Sequence, residues 1–358
     1  MNETRRKKLA VIGRGTAGCL SISHFQRWTD WDIDWYFDPN IKPQAVGEGS
    51  TALLPNVLFE NLNFTITELE TIYGTLKGGI KKFNWGKVQK EFIHPFPGNV
   101  HGYHFNAVKL QELIIDKLKK HPRVKFKEQN VEEDSVDSDF VMNCSGAPKE
   151  SDDRFEYSNY IPVNSAYVTQ CYWEGVKFEY TLTIARPYGW VFGIPLLNRC
   201  SIGYMFNNTI NNVDEVKEDV KHVFEQFKLT PSQDTNFLRF NNYYRKQNST
   251  GRCFYNGNAS FFLEPLEATS ISFMNQITKT AHEHWYDKKT LEVANDEYLQ
   301  SIKHIENVIM LHYAAGSMFN TDFWSFAQQR GRDNFFKFIK SDTFKSIRNS
   351  NFPDVPQI

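Results

Sequence analysis

Hydrophobic positions along the chain change period several times. Leu9-Ala10-Val11-Ile12 is a short apolar run without polar alternation, the pattern of a strand buried on both faces. It enters a glycine-rich turn and then a segment that reads as helix from Cys19 to about Trp28, followed by a second strand from Ile33 to Phe37. Leu69, Ile72, Leu76 and Ile80 stand at helical spacing and predict a mostly helical stretch over 60–85. Leu110, Leu113, Ile114 and Leu118 predict an amphipathic helix from Ala107 to Lys119, and strands follow at Val124 to Phe126 and Phe140 to Asn143. Between about 155 and 250 short β-rich runs dominate: Ala166 to Tyr172, Tyr180 to Ala185 and Ser201 to Phe206, with one helix near 213–228. Helical periodicity returns from Ile271 to about Lys340, and Asn349 to Ile358 reads as a loose tail.

Composition narrows the class. With 358 residues the chain makes one large domain or two interlocked ones. Apolar residues at 41% and aromatics at 15% exclude a disordered chain. A formal charge of −1 leaves no basic excess, so no nucleic-acid partner is expected. No apolar run approaches the roughly 18–20 residues of a membrane span, so no membrane partner is expected. The five cysteines are odd in number and never form C-x-x-C, which predicts neither a disulfide framework nor a metal site and fits a reducing compartment. Arg5-Arg6-Lys7-Lys8 imitates the start of a signal peptide, but the apolar run after it stops at Ile12, short of the roughly 7–15 residues required. A cytoplasmic protein is expected. The abundance of Asn, Lys, Phe and Tyr suits an AT-rich genome, of a bacterium or of a virus replicating in a host cell.

The first chemistry-bearing motif is Gly13-x-Gly15-x-x-Gly18, with Thr16 and Ala17 inside it. The first glycine permits a tight turn, the second lets backbone approach a pyrophosphate, and the third lets helix and strand pack closely. A strand precedes it and a helix follows, as a dinucleotide site demands. Asp38 stands about 20 residues on, where an acid binds a ribose hydroxyl. Gly257-Asn258-Ala259, before Phe262-Leu263-Glu264-Pro265, occupies a place where many FAD enzymes carry Gly-Asp-Ala. Asn258 keeps the hydrogen-bonding capacity without the charge. Cys144-Ser145-Gly146 ends another strand at the same rim, and this return from distant segments points to FAD rather than NAD.

Six segments in order resemble the flavin-dependent halogenases, the group that includes the tryptophan halogenases. They are Gly13 to Gly18, Val46-Gly47-Glu48-Gly49-Ser50-Thr51, Leu76-Lys77-Gly78-Gly79-Ile80-Lys81-Lys82-Phe83-Asn84-Trp85, Gly189-Trp190-Val191-Phe192-Gly193-Ile194-Pro195, Leu263-Glu264-Pro265-Leu266-Glu267-Ala268-Thr269, and Thr321-Asp322-Phe323-Trp324. The likeness runs from about residue 8 to 325. It implies that reduced flavin, O₂ and a halide ion (chloride, bromide or iodide) give hypohalous acid, which travels to a lysine beside an aromatic substrate.

By that resemblance the lysine is Lys77, placed on a helix, whose ammonium either hydrogen-bonds the oxidant or becomes a haloamine. The matching carboxylate is Glu267, with Glu264 as the competing acid. Thr269 and Ser270 match the halide-binding positions, where the family usually has Gly in place of Ser270. Glu48 and Ser50 lie on a strap linking the flavin and substrate sites and join the cofactor contacts. Trp190 and Phe192 match a W-x-W-x-I-P signature beside the tunnel, with Phe192 replacing the second tryptophan. His94 and Phe96 resemble a His-x-Phe pair that stacks on the substrate ring. Only 34 residues follow Trp324, against well over a hundred in tryptophan halogenases, so an open site for other electron-rich aromatics is expected.

The expected fold is α/β: an FAD-binding Rossmann-like domain of the GR2, p-hydroxybenzoate-hydroxylase-like type, with an inserted antiparallel β-sheet and a short helical C-terminal part. The FAD module takes residues 1–150 and 251–300, the sheet over the tunnel 151–250, and the helical substrate-side part 301–358. The expected cofactor is FAD, reduced by a separate flavin reductase because no second nucleotide motif appears. A homodimer or larger assembly is an open expectation. The alternatives are an FAD-dependent monooxygenase, which needs neither Lys77 nor Glu267, and a catalytically retired flavin-binding relative.

Overall fold

The computed structural model describes residues 5–41, 49–98, 100–148, 152–341 and 344. Among them the first apolar runs build a five-stranded parallel sheet. Its strands are β1 (Lys8–Ile12), β2 (Asp32–Phe37), β7 (Val124–Glu128), β8 (Phe140–Asn143) and β16 (Cys253–Tyr255), in the order β16-β8-β1-β2-β7. Leu9, Ala10 and Val11 are wholly buried because this sheet is covered on both faces. Helices α1 (Thr16–Trp28), α4 (Ala107–Leu118) and α6 (Ser270–Trp285) share a core with it, through Leu20, Ile22, Phe25, Leu110, Ile114 and Ala281.

A seven-stranded sheet forms the second layer. It contains β4 (Gly79–Phe83), β5 (Glu91–Pro95), β10 (Ser165–Tyr172), β11 (Thr181–Arg186), β12 (Gly189–Pro195), β13 (Arg199–Phe206) and β14 (Thr230–Arg239), in the order β14-β10-β13-β12-β11-β4-β5. Its pairs are antiparallel except β4 with β11, which run parallel. Strand alternation gives it two buried faces. Val191, Leu182 and Ile184 meet Val216, Val220 and Val223 of α5 (Val213–Phe227). Trp190, Phe192 and Ile194 face Ile302, Ile309 and Tyr313 of α7 (Leu291–Ala315) and Phe323 and Trp324 of α8 (Asp322–Ile339). Small sheets of β9 (Phe155–Tyr157), β15 (Tyr243–Arg245) and β17 (Phe261–Phe262), and of β3 (Thr75–Lys77) and β6 (Gly102–His104), complete the described strands.

The helical reading of 60–85 is corrected. Helix persists only in α2 (Leu54–Leu62), α3 (Ile66–Leu69) and a 3₁₀ turn ending at Ile72, after which the chain is extended. Tyr73 takes a left-handed φ of 52°, which stops the helix. Gly79 has φ +154°, and a Cβ there would lie 2.3 Å from the His94 carbonyl oxygen. The glycine pair therefore turns the chain from β3 into β4, between β11 and the edge strand β5, and Lys77 stands at the end of strand β3 rather than on a helix.

Candidate active site

The glycine motif forms a closed turn at the mouth of the parallel sheet. Gly13 has φ +100°, and a Cβ there would meet the Cys144 carbonyl at 2.3 Å, while one at Gly18 would meet the Gly13 carbonyl at 2.1 Å. Around Gly15 none of the described residues lies within 4 Å of a Cβ position, so the backbone at the start of α1 is open to a ligand. The free N–H groups of a helix start suit a pyrophosphate. Gly257, at φ +58°, packs against the methyl of Ala17 so closely that a Cβ would stand 2.7 Å from it. Segments more than two hundred residues apart are thus brought to one rim. Asp38 follows directly on β2, with Oδ1 accepting from Asn40, and the Asn258 carbonyl accepts from the Tyr243 hydroxyl at 2.9 Å. An open helix start ringed by these glycines fits a dinucleotide.

The strap is placed in part. Val46, Gly47 and Glu48 lie outside the described residues. Ser50 is wholly buried: its hydroxyl donates to the Thr51 carbonyl and accepts from the Tyr103 N–H at 2.8 Å. Thr51 shares a hydroxyl hydrogen bond with Ser272 in the first turn of α6. Thr269 caps that helix and Ser270 begins it, both half-buried.

Lys77 is the most unusual group in the site. Its side chain is wholly buried, and Nζ has no hydrogen-bond partner among the described residues. The amine stands 5.5 Å from the centre of the Phe96 ring, and a Cβ at Gly49 would be 3.8 Å from it. Burial disfavours the charged form and brings Lys77 down to about 7, with the Glu267 carboxylate opposing that change and the Lys82 ammonium adding to it.

Glu267 lies in the loop before α6 and gathers cations around it. Its Oε1 accepts from Lys82 Nζ at 2.6 Å and meets His312 Nε2 at 2.8 Å. His312 Nδ1 already donates to the Val308 carbonyl at 2.8 Å, so the Glu267 contact is a hydrogen bond when both ring nitrogens carry hydrogen. Burial alone would raise Glu267, but the His312 hydrogen bond and the Lys82 charge outweigh it and hold the carboxyl at about 2. His94, Glu267 and His312 offer ligand atoms within 4.8 Å of one another, a donor set capable of holding a metal ion. Here Glu267 Oε1 is instead engaged by the Lys82 ammonium. His94 is exposed, and the partial desolvation of its ring, with the Lys82 charge added, lowers its proton affinity.

Trp190 and Phe192 are core residues. Trp190 donates to the Tyr313 hydroxyl at 2.9 Å and to Glu264 at 3.1 Å, and Tyr313 donates to the same carboxyl at 2.8 Å. Burial pushes Glu264 up to about 8, the two donors opposing that rise, and its second oxygen has no hydrogen-bond partner among the described residues. The Phe192 ring lies over Gly203, where a Cβ would be 2.1 Å from it. Sequence reasoning missed Lys82, His312, Trp85 and Tyr313. Trp85 sits under the Lys82 ammonium at 5.7 Å and edge-on to His312 at 5.9 Å. The usable signal was period two: on β4, Lys82 shares a face with the apolar Ile80, opposite Phe92 and His94 of β5.

The family model for tryptophan halogenase matches residues 8–133 and 115–341. The chain belongs to this family. Tryptophan 7-halogenase RebH of Lentzea aerocolonigenes is 28% identical over 203 residues, 52% of this chain and 38% of that protein. Tryptophan 6-halogenase ThaL of Streptomyces albogriseolus is 26% identical over 53% of this chain and 38% of its own length. The chain thus matches well under half the length of these curated relatives. The fold extends further. A tryptophan halogenase from Shewanella frigidimarina superposes with a TM-score of 0.79 at 17% identity, covering 96% of this chain and 83% of that one. Xcc4156, a flavin-dependent halogenase from Xanthomonas campestris, gives 0.79 at 17% identity, over 94% and 84%. Among the described residues no helix is long and apolar enough to cross a membrane.

Proposed function

We propose that this chain is an FADH₂-dependent halogenase that places halogen on an electron-rich aromatic ring. The observation that carries the reading is the Lys77 amine, wholly buried, without a hydrogen-bond partner among the described residues and 5.5 Å from the centre of the Phe96 ring. A buried polar group left unpaired costs folding free energy, and such groups are retained where chemistry uses them.

Gly13, Gly15, Thr16, Ala17 and Gly18 would hold the FAD pyrophosphate, with Gly257 and Asn258 on the opposite side and Asp38 at the ribose. When bound and reduced, FAD supplies with O₂ the oxidising power that converts halide to hypohalous acid. Thr269 and Ser270 present helix-start N–H groups to the halide. Lys77 orients the oxidant or takes up its halogen, and Phe96 and His94 offer flat faces to a planar substrate, each good aromatic contact contributing about 0.5–1.5 kcal/mol. Glu267 brings a carboxylate charge to the neighbourhood of Lys77 and has a second oxygen for the ring proton. Reduced flavin comes by diffusion from a separate flavin reductase.

The test is product formation followed by mass spectrometry. Protein, FAD, a flavin reductase with NADH, and O₂ meet phenols, indoles and anilines with chloride, bromide or iodide in turn. Halogenated product that requires both halide and Lys77, judged against Lys77→Ala, is the expected result. Hydroxylated product without halide would replace the reading by a monooxygenase. Reduced flavin oxidised with no product under any halide would make the chain a flavin-binding relative without this chemistry.

A further inference from the structure

Two lysines, not one, are wholly buried in this site. Strand geometry explains how the second gets there. Lys81 and Lys82 are neighbours on β4 and point to opposite faces. Lys81 is partly exposed, with its ammonium 3.2 Å from Glu91, whereas Lys82 points inward, over the Trp85 ring and onto Glu267. The groups facing Lys77 have distinct charges. His104, across the β3–β6 pair, bonds through Nδ1 to Thr75 and through Nε2 to Thr181, and burial there strongly favours its neutral form. Phe96 and Gly49 are uncharged. Among the described residues, the charges that act on Lys77 are those of Glu267 and Lys82.

We propose that Lys82 is a positioning residue for the halogenation inferred above: its buried ammonium holds the Glu267 carboxylate at 2.6 Å, so that this carboxylate does not serve as the counterion of the buried Lys77 amine. The inference rests on that reading for its purpose, but the electrostatic relationship is a property of the protein alone. Without Lys82 the carboxylate would be free to hold a charged Lys77. A lysine ammonium has no lone pair with which to take halogen, whereas a neutral amine forms the nitrogen–halogen bond as the oxygen–halogen bond of hypohalous acid breaks, the hydroxide leaving with the amine proton as water. Activation of one buried lysine by a neighbouring cation is an established physical route to a nucleophilic amine.

The experiment reads the protonation of Lys77 directly. In the full chain labelled with ¹³C-lysine, the ¹³Cε resonance of Lys77 is identified by its absence from Lys77→Arg and followed from pH 5 to 11. In the wild type it titrates near neutral pH. Lys82→Met moves the midpoint upward by about one pH unit or more, the scale of one close charge in a buried site. Lys82→Gln, which keeps an amide donor for Glu267, moves it in the same direction and serves if the methionine variant does not fold. Lys82→Arg leaves it near the wild-type value. The rising limb of halogenation against pH shifts with the resonance. A midpoint unmoved in the variants that fold overturns the inference. A shifted midpoint in a protein that never halogenates supports the electrostatic relationship and removes the proposed function instead.

Discussion

Lys82 and Glu267 meet at 2.6 Å although they stand 185 residues apart in the chain. Lys82 is wholly buried and the Glu267 side chain is 16% exposed, and His312 approaches the same carboxylate oxygen. The pair joins the seven-stranded sheet to the loop before α6. A buried ion pair adds little net stability, yet losing one partner leaves the other charge without compensation.

Glu267→Gln is therefore expected to lower stability by about 3–5 kcal/mol at pH 7, the usual cost of stranding a buried charge. Halogenation should fall by a factor on the order of 10²–10⁴. The pH dependence has a definite sign. The folded carboxyl sits at about 2, below its unfolded value, so the unfolded state binds the extra proton in between. Its stabilisation is complete above about pH 5 and is lost as pH falls toward 2. Urea unfolding between pH 2 and 7 should show that acid loss in the wild type and a flatter curve in the glutamine variant.

Lys77 has the opposite effect on stability. Held at about 7, it binds fewer protons when folded than when unfolded between pH 7 and the ordinary lysine range near 10.4. Stability from this group therefore rises with pH across that window, and the penalty is largest below pH 7. Lys77→Met should abolish product yet stabilise the fold at pH 7, by about 2–4 kcal/mol, with the gain shrinking toward pH 10. Chemical denaturation at pH 7 and pH 10 checks it. A methionine variant less stable than wild type at both values would contradict the buried, unpaired amine.

Much of this architecture was legible in the chain. The apolar run at Leu9 to Ile12, the glycine motif and the β-rich stretch from 155 each follow from local rules, and each forms the element expected. The region around Lys77 did not, because Leu69, Ile72, Leu76 and Ile80 match a helix by spacing. The deciding events are a left-handed Tyr73 and the approach of the His94 carbonyl to Gly79, both tertiary. His312 left no trace, since it reaches Glu267 only through the packing of α7 on the sheet. Lys77 and Glu267 were recognised through ordered motifs, whereas Lys82, the ion-pair partner of Glu267, needed the strand reading.

Glu264 supplies a third pH signature. Its carboxyl is pushed up to about 8, so at neutral pH it is protonated when folded and ionised when unfolded. The folded state binds more protons between about pH 4.3 and 8, and stability from this group falls as pH rises through that window. Glu264→Gln resembles the protonated acid and keeps an acceptor for Trp190 and Tyr313. The variant should lose less stability than the wild type between pH 5 and 8, measured by urea midpoints. Parallel midpoints for the two proteins across that range would mean that Glu264 is ionised in the fold.

The flavin end can be separated from the halogen end at Gly257. An added methyl there meets two obstacles: φ is +58°, which L side chains rarely adopt, and Ala17 Cβ stands 2.7 Å away. The strain costs about 1–3 kcal/mol and pushes the 257–259 segment away from the first turn of α1, the place proposed for the pyrophosphate. Gly257→Ala should weaken FAD binding by on the order of tenfold or more, since about 1.4 kcal/mol of misplacement corresponds to that factor. The Lys77, Lys82 and Glu267 cluster should keep its arrangement. Flavin fluorescence titration gives the affinity, and the Lys77 ¹³Cε midpoint reports the cluster. Unchanged FAD affinity would place the cofactor away from this rim.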